Sequence, residues 1–234
     1  MSLYVTSDLH GYPLTSFRKL LQHVNFTDDD TLYVLGDVID RNGDGGIDTL
    51  LWIMDQPNVV FILGNHEAML LSCEFLFTEI TDESLDALTD KQVHILMTWI
   101  RNGAEPTMKA IGTLSTNTRN DIFDYLRDAP LYDMVEVDER VFFLVHAGLG
   151  SFSAEKKLSE YSAHDFLWHR PSPKERYWDN VTVVLGHTPT QAYGMRGQAF
   201  VTDTWIDIDT GAGNGGHPML LRLNDMKEFY MDEK

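Results

Sequence analysis

The chain has 234 residues, 43% of them hydrophobic, and its 18 Lys and Arg against 36 Asp and Glu leave a formal charge of −18. That profile is globular and excludes a disordered or fibrous chain, and so acidic a surface repels nucleic acid and anionic lipid, which both need a basic footprint. A single cysteine, Cys73, excludes a disulfide framework and a Cys-rich zinc site.

The opening MSLYVTSDLHG has neither the basic start nor the apolar centre of a signal peptide. No apolar run approaches the ~18 residues of a membrane span. The expectation is a cytoplasmic protein with neither nucleic acid nor membrane as a partner.

One pattern recurs along the chain: a short apolar run, then at once polar residues and glycine. Leu3–Thr6 leads into Ser7-Asp8-Leu9-His10-Gly11, and Thr31–Leu35 into Gly36-Asp37-Val38-Ile39-Asp40-Arg41. Val59–Leu63 leads into Gly64-Asn65-His66-Glu67, Val141–Val145 into His146-Ala147-Gly148, and Val181–Leu185 into Gly186-His187-Thr188-Pro189. Runs of this length, rich in Val, Ile and Phe, predict buried strands. Between the early runs, Leu14–Val24, Ile47–Met54 and Ala68–Phe77 carry apolar residues at helical spacing.

Residues 78–130 break the alternation and predict an inserted helical cap, with Leu85, Leu88, Val93, Leu96, Trp99 and Ile100 as its apolar positions. Ala199–Thr202, Trp205–Ile208 and Met219–Leu223 predict short strands. Without linker or repeat, residues 1–234 read as a single α/β domain.

In such layered folds ligands gather at the carboxyl ends of the strands, where every polar cluster falls. Asp8 and His10, two apart at a strand end, are expected on one side of the chain. Asp37, Asn65, His146 and His187 end four other runs. Carboxylate and imidazole without thiolate suit Mn, Fe or Zn. Six such ligands suggest two divalent ions sharing one carboxylate. Any one of them alone reads equally well as a turn cap; six in a row after apolar runs do not.

These motifs, in this order, resemble the calcineurin-type metallophosphoesterases. They are most similar to the phosphoprotein phosphatase branch, with its short bacterial and bacteriophage lambda-type serine/threonine phosphatases. Trp168-His169-Arg170 and Asp209-Thr210-Gly211 are similar to further segments of that family.

The resemblance implies a layered metallophosphoesterase-type β-sandwich flanked by helices. It implies two divalent ions, Mn foremost and Fe, Zn or Ni as alternatives: one held by Asp8, His10 and Asp37, the other by Asp37, Asn65, His146 and His187. It makes Arg41 and Arg170 the clamp on the phosphoryl oxygens, with Asn65 beside them. His66, oriented by Asp40, becomes the proton donor to the leaving group, a metal-bridging hydroxide the nucleophile. For His66 a third ligand role, and for Asp40 a turn cap, are the alternatives.

Three positions depart from the family pattern: Ser7, Asn42 and Ala147 stand where glycine is usual. Asn42 is expected to keep its loop's shape by adopting left-handed backbone.

Other matches fail on their context. Residues 40–45 start like a calcium loop, but its twelfth position is Leu51. Residues 211–216 fit Gly-x-Gly-x-x-Gly, but a strand follows where a helix is required. Cys73 reads as core.

The expected activity is metal-dependent phosphomonoester hydrolysis, directed at phosphoserine or phosphothreonine in proteins or at small phosphoesters. The alternative is a symmetrical dinucleoside polyphosphate hydrolase of the diadenosine tetraphosphatase type. That branch tends to lack the Asp found here at position 40, which favours the phosphatase. A scaffold that binds without turnover ranks last, because no ligand is missing. Arg101, Arg119 and Arg127 of the insertion are expected to shape substrate preference; the alternative is that Trp99, Ile100 and Leu96 merely close the core on that side.

Overall fold

The computed structural model of the chain describes residues 1–77 and 89–231. Leu85 and Leu88 lie outside the described residues. Among the described residues, strands β1 (Leu3–Thr6), β2 (Thr31–Val34), β3 (Val59–Phe61), β9 (Met219–Arg222) and β10 (Lys227–Tyr230) form one sheet in the order β10-β9-β1-β2-β3. Strands β4 (Tyr132–Val137), β5 (Arg140–Val145), β6 (Val181–Leu185), β7 (Phe200–Val201) and β8 (Trp205–Asp207) form a second, ordered β4-β5-β6-β8-β7. Both sheets are mixed. Parallel β1, β2 and β3 meet antiparallel β9, and parallel β5, β6 and β8 are flanked by antiparallel β4 and β7.

Alternation along each strand builds the layers. Val5, Tyr33, Leu35, Phe142, Leu144, Val184 and Ile206 meet between the sheets. Their neighbours Tyr4, Leu32 and Val34 face outward beneath helices, and Phe143, Val145, Val183 and Leu185 do so on the other side. Two sheets buried on both faces explain why most strands read as continuous apolar runs rather than as alternation.

The helices are α1 (Leu14–His23), α2 (Ile47–Asp55), α3 (Asn65–Ser72), α4 (Asp90–Arg101), α5 (Glu105–Thr113), α6 (Thr116–Asp128) and α7 (Ala163–Leu167). Helix α3 begins three residues before the expected Ala68, so Asn65 and His66 occupy its first turn at the end of β3. A 3-10 turn, Glu74–Phe77, completes the expected segment.

The expected 78–130 helices are α4, α5 and α6, started by side-chain caps at Thr89 and Ser115 and by Pro106 in the first turn of α5. Trp99, Ile111, Ile122, Phe123 and Leu126 join the same core as α1, α2 and α3. Val93 and Ile100, two of the apolar positions of this stretch, are each 43% exposed, because only the Trp99 face of α4 turns inward. Strands β4 and β10 were not expected. Each is half-buried or exposed along most of its length and lacks an apolar run.

Candidate metal centre

The loops that leave β1, β2, β3, β5 and β6 converge at one edge of the two sheets. Asp8, His10, Asp37, Asn65, His66, His146 and His187 are all buried there. Their backbone is unusual: Asp8, His10, Asp37, Asp40, Arg41 and His187 all have positive φ, between 43° and 76°. Non-glycine residues avoid this region, and strain of this kind persists where surrounding structure over-determines it.

Asp8 and His10 do come together, with His10 Nε2 3.7 Å from Asp8 Oδ1. The expected reason is wrong, because both lie beyond β1 in left-handed turns rather than on its pleat. Asn42, expected to be left-handed, is not among the positive-φ residues. Its amide nitrogen donates to the carbonyls of His10 (2.9 Å) and Ala212 (3.3 Å), tying three loops together, while Asp40 and Arg41 take the strained turn.

The hydrogen bonds decide which atoms face inward. His10 Nδ1 lies 2.9 Å from the Ile39 carbonyl and His146 Nδ1 2.7 Å from that of Leu35. A carbonyl only accepts, so each ring donates from Nδ1 and keeps a lone pair on Nε2. Those lone pairs point at carboxylate oxygens, His10 Nε2 3.5 Å from Asp37 Oδ2 and His146 Nε2 3.4 Å from Asp37 Oδ1.

Ser7 Oγ and the His187 N–H (2.9 Å) both donate to Asp8 Oδ2. Asp8 Oδ1 and His187 Nε2 are buried without a hydrogen-bond partner among the described residues. Burial holds His10, His146 and His187 below the ordinary histidine range, helped by neighbouring histidines at His10 and His187 and by Arg170 at His146, and burial beside Asp8 and Glu67 pushes Asp37 well above the ordinary carboxylate range.

Electron-rich atoms aimed at one another in a buried space are repulsive unless a cation lies among them. Two groups satisfy that description, His10 with Asp37 and His66, and Asp37 with His146 and His187, each with ligand atoms within 4.8 Å. They share Asp37. Nitrogen and oxygen donors of this kind suit Mn, Fe or Zn. Asn65 Oδ1 lies 2.9 Å from His146 Nε2, beside the second group.

His66 and Arg41 sit together. His66 Nδ1 is 2.6 Å from Asp40 Oδ2, and Arg41 Nη2 donates to His66 Nε2 at 3.3 Å. Arg170 comes in from beyond α7, its Nη1 donating to the His187 carbonyl (3.3 Å) and Thr188 Oγ1 (3.2 Å). Thus the expected metal-holding residues, the two clamp arginines and the His66–Asp40 pair meet at one edge.

Others found there had no signal of their own in the sequence. Glu67, fully buried, accepts the backbone N–H groups of Asp37 (2.9 Å), Val38 (2.8 Å) and Ile39 (3.2 Å), and so shapes the turn that presents Asp37. Trp99 Nε1 donates to Asp40 Oδ2 at 2.8 Å, Thr107 Oγ1 accepts the Asp40 N–H at 2.9 Å, and the Gly103 carbonyl accepts the Arg41 N–H at 2.9 Å. Two glycines are imposed by closeness. A β-carbon on Gly186 would lie 2.1 Å from Ser7 Oγ, and one on Gly213 2.5 Å from the His10 ring and 2.7 Å from Arg41 Nη1. The glycine-rich 211–216 segment therefore roofs His10 and Arg41.

Of the insertion's arginines, Arg127 is engaged elsewhere, paired with Glu74 and Asp124.

A family profile described as calcineurin-like phosphoesterase matches residues 1–209. A Chromobacterium violaceum protein named symmetrical bis(5'-nucleosyl)-tetraphosphatase is 31% identical, over 98% of this chain and 94% of its own. Among solved structures, one described provisionally as a diadenosine tetraphosphatase superposes with a TM-score of 0.67 at 15% identity, covering 98% of this chain and 92% of that one. A serine/threonine protein phosphatase from Saccharomyces cerevisiae gives 0.60 at 14% identity, over 100% and 81%. Both structural likenesses speak to the fold. Among the described residues no helix is long and apolar enough to cross a membrane.

Proposed function

Because the chain belongs to the calcineurin-like phosphoesterases, a metal-dependent hydrolase family, we propose that it cleaves dinucleoside polyphosphates symmetrically, splitting a tetraphosphate bridge into two nucleoside diphosphates. The observation that carries the choice of substrate is the end-to-end similarity to a protein named for that activity, 31% identical over 98% of this chain. That similarity outweighs Asp40, the single residue that favoured a protein phosphatase as the first expectation.

Asp8, His10, Asp37, Asn65, His146 and His187 would hold two divalent ions, Asp37 serving both. Such ions supply Lewis-acid charge and a water acidic enough to react at neutral pH. The chain's own groups do the rest. Arg41 and Arg170 border the histidine cluster, one beside His66 and the other beside His187. Their planar guanidinium forks bind phosphoryl oxygens before and during transfer, where charge accumulates. His66, its Nδ1 held by Asp40, is placed to carry a proton on Nε2 once Arg41 turns from it to the phosphoryl oxygens, and to pass that proton to the departing oxygen.

A second reading, hydrolysis of phosphoserine or phosphothreonine, draws on that same His66–Asp40 pair. A serine alkoxide needs protonation far more than a nucleoside diphosphate does.

The test is a turnover panel with diadenosine tetraphosphate, phosphopeptides and an aryl phosphate, each with Mn, Mg, Ni or Zn. The expected result is fastest turnover of the dinucleotide, with adenosine diphosphate as the sole nucleotide product and no turnover after chelation. A phosphopeptide turned over with a higher kcat/KM would install the second reading.

A further inference from the structure

Beside the candidate metal centre lies a cavity of about 460 Å³, within the range of about 300–1,000 Å³ usual for small-ligand sites. Its walls are the outer side of α3, the facing side of α4 and the aromatic end of α7, and Asn65 belongs to both the cavity and the metal centre. Resting on the dinucleotide reading above, we infer that this cavity is the nucleobase subsite, which takes the purine of the nucleotide whose phosphate lies at the metal centre.

Three properties of the walls carry the assignment. The first is aromatic surface. Trp168 stands edge-on to the His187 ring, 6.0 Å between centroids, and is nearly parallel to His164, at 22° and 6.5 Å. A π-surface therefore runs outward from a candidate metal ligand into the cavity. Bases stack on such surfaces with a gain on the order of ten- to a hundredfold in affinity.

The second is charge. In a chain of net charge −18, no Asp, Glu, Lys or Arg lines the cavity among the described residues. Met69 and Ile95 give an apolar floor that suits a neutral base and offers nothing to a basic peptide flank.

The third is hydrogen bonding. Ser72 Oγ donates to the Ala68 carbonyl at 2.8 Å and Thr98 Oγ1 to that of His94 at 2.9 Å. Both hydroxyl protons are committed to their own helices, so each hydroxyl presents acceptor lone pairs. An exocyclic amino group, as on adenine, is the matching donor.

The test uses two hydrolysis-resistant probes, α,β-methylene adenosine diphosphate and methylenediphosphonate, which share the bridging phosphonate and differ by the nucleoside. Their dissociation constants are measured on the full chain with Mn present, for wild type, Thr98→Phe and Ser72→Phe. These substitutions fill the cavity from opposite walls, Thr98 at a half-buried and Ser72 at an exposed helix position.

Wild type is expected to prefer the nucleotide probe by on the order of tenfold or more. Both variants should cut that preference below about threefold while holding methylenediphosphonate as tightly as wild type, which also reports that they fold. Absence of a nucleoside preference in wild type overturns the inference. So does a preference that survives both substitutions, or a phosphopeptide whose binding the substitutions weaken while the nucleotide's is untouched.

Failure of the underlying reading looks different. Diadenosine tetraphosphate would then go uncleaved although the cavity-dependent preference is present.

Discussion

At the scale of single residues, the site depends on which atom of each side chain is already spoken for. His66 is the clearest case, because its Nδ1 is engaged by Asp40 while its Nε2 faces both Arg41 and, at 3.8 Å, Asp37 Oδ2. If Nε2 serves as proton donor, His66→Asn should lower kcat on an alkyl phosphate by ~10²–10⁴-fold and leave metal content unchanged. The loss should shrink on an aryl phosphate or a diphosphate leaving group, which departs with little protonation. Metal analysis showing that an ion is lost together with the rate would make His66 a ligand instead. Glu67 makes a second, sharper case. One buried carboxylate accepts three backbone N–H groups of the Asp37–Ile39 turn, and a side-chain amide keeps only one oxygen for them. Glu67→Gln should therefore destabilise the fold by roughly 2–4 kcal/mol and weaken metal retention through Asp37. Thermal unfolding and metal content read both effects; a variant matching wild type in each would remove Glu67 from the argument.

Between residue and fold stand the elements, and here α4 and α5 act as a buttress. Trp99 on α4, Gly103 between the two helices and Thr107 on α5 hold the side chain or backbone of Asp40 and the backbone of Arg41. The left-handed pair Asp40–Arg41 is kept in place from outside its own loop. Trp99→Phe keeps a smaller aromatic ring in the core and removes the indole N–H together with the volume of the second ring. It should cost at least the ~1.5–3 kcal/mol of a hydrogen bond to a charged group, lost packing adding to it, and it should weaken inhibition by inorganic phosphate as Arg41 loosens. Unchanged melting and unchanged phosphate inhibition would show that α4 merely fills space. This tertiary role explains what could and could not be read from the sequence. The apolar runs ending in Asp, His or Asn marked five strands and placed Asp8, His10, Asp37, Asn65, His146 and His187 beyond their ends, because a strand buried on both faces leaves an uninterrupted apolar signature. Neither the six left-handed residues nor the grip of Trp99 on Asp40 has a local pattern, and the grip joins residues 59 apart in the chain. Strand β4 escaped notice for a related reason, as its half-buried YDMVEV mixes charge into what its partner β5 carries as an apolar run.

For the whole molecule the governing quantity is charge. The net −18 is spread over a surface on which three arginines are paired locally, Arg176 with Asp179 and Asp203, Arg222 with Asp225, Arg127 with Glu74 and Asp124. The far field felt by an approaching ligand is therefore negative, while Arg41, Arg170 and any bound cations act only near the site. A dinucleoside tetraphosphate carries several negative charges along its bridge and is repelled at long range. Salt shortens that repulsion, the Debye length falling from about 30 Å at 0.01 M to about 8 Å at 0.15 M. Its kcat/KM should therefore rise with ionic strength over that interval before local screening of the arginines reverses the trend. A phosphopeptide with basic flanks meets the opposite sign, is steered inward at low salt and should lose kcat/KM monotonically as salt is added. Measuring both substrates on one enzyme preparation between 0.01 and 0.15 M salt therefore tests the electrostatic argument with an internal control. Parallel trends for the two would mean that the local cations, not the acidic surface, govern approach to the site.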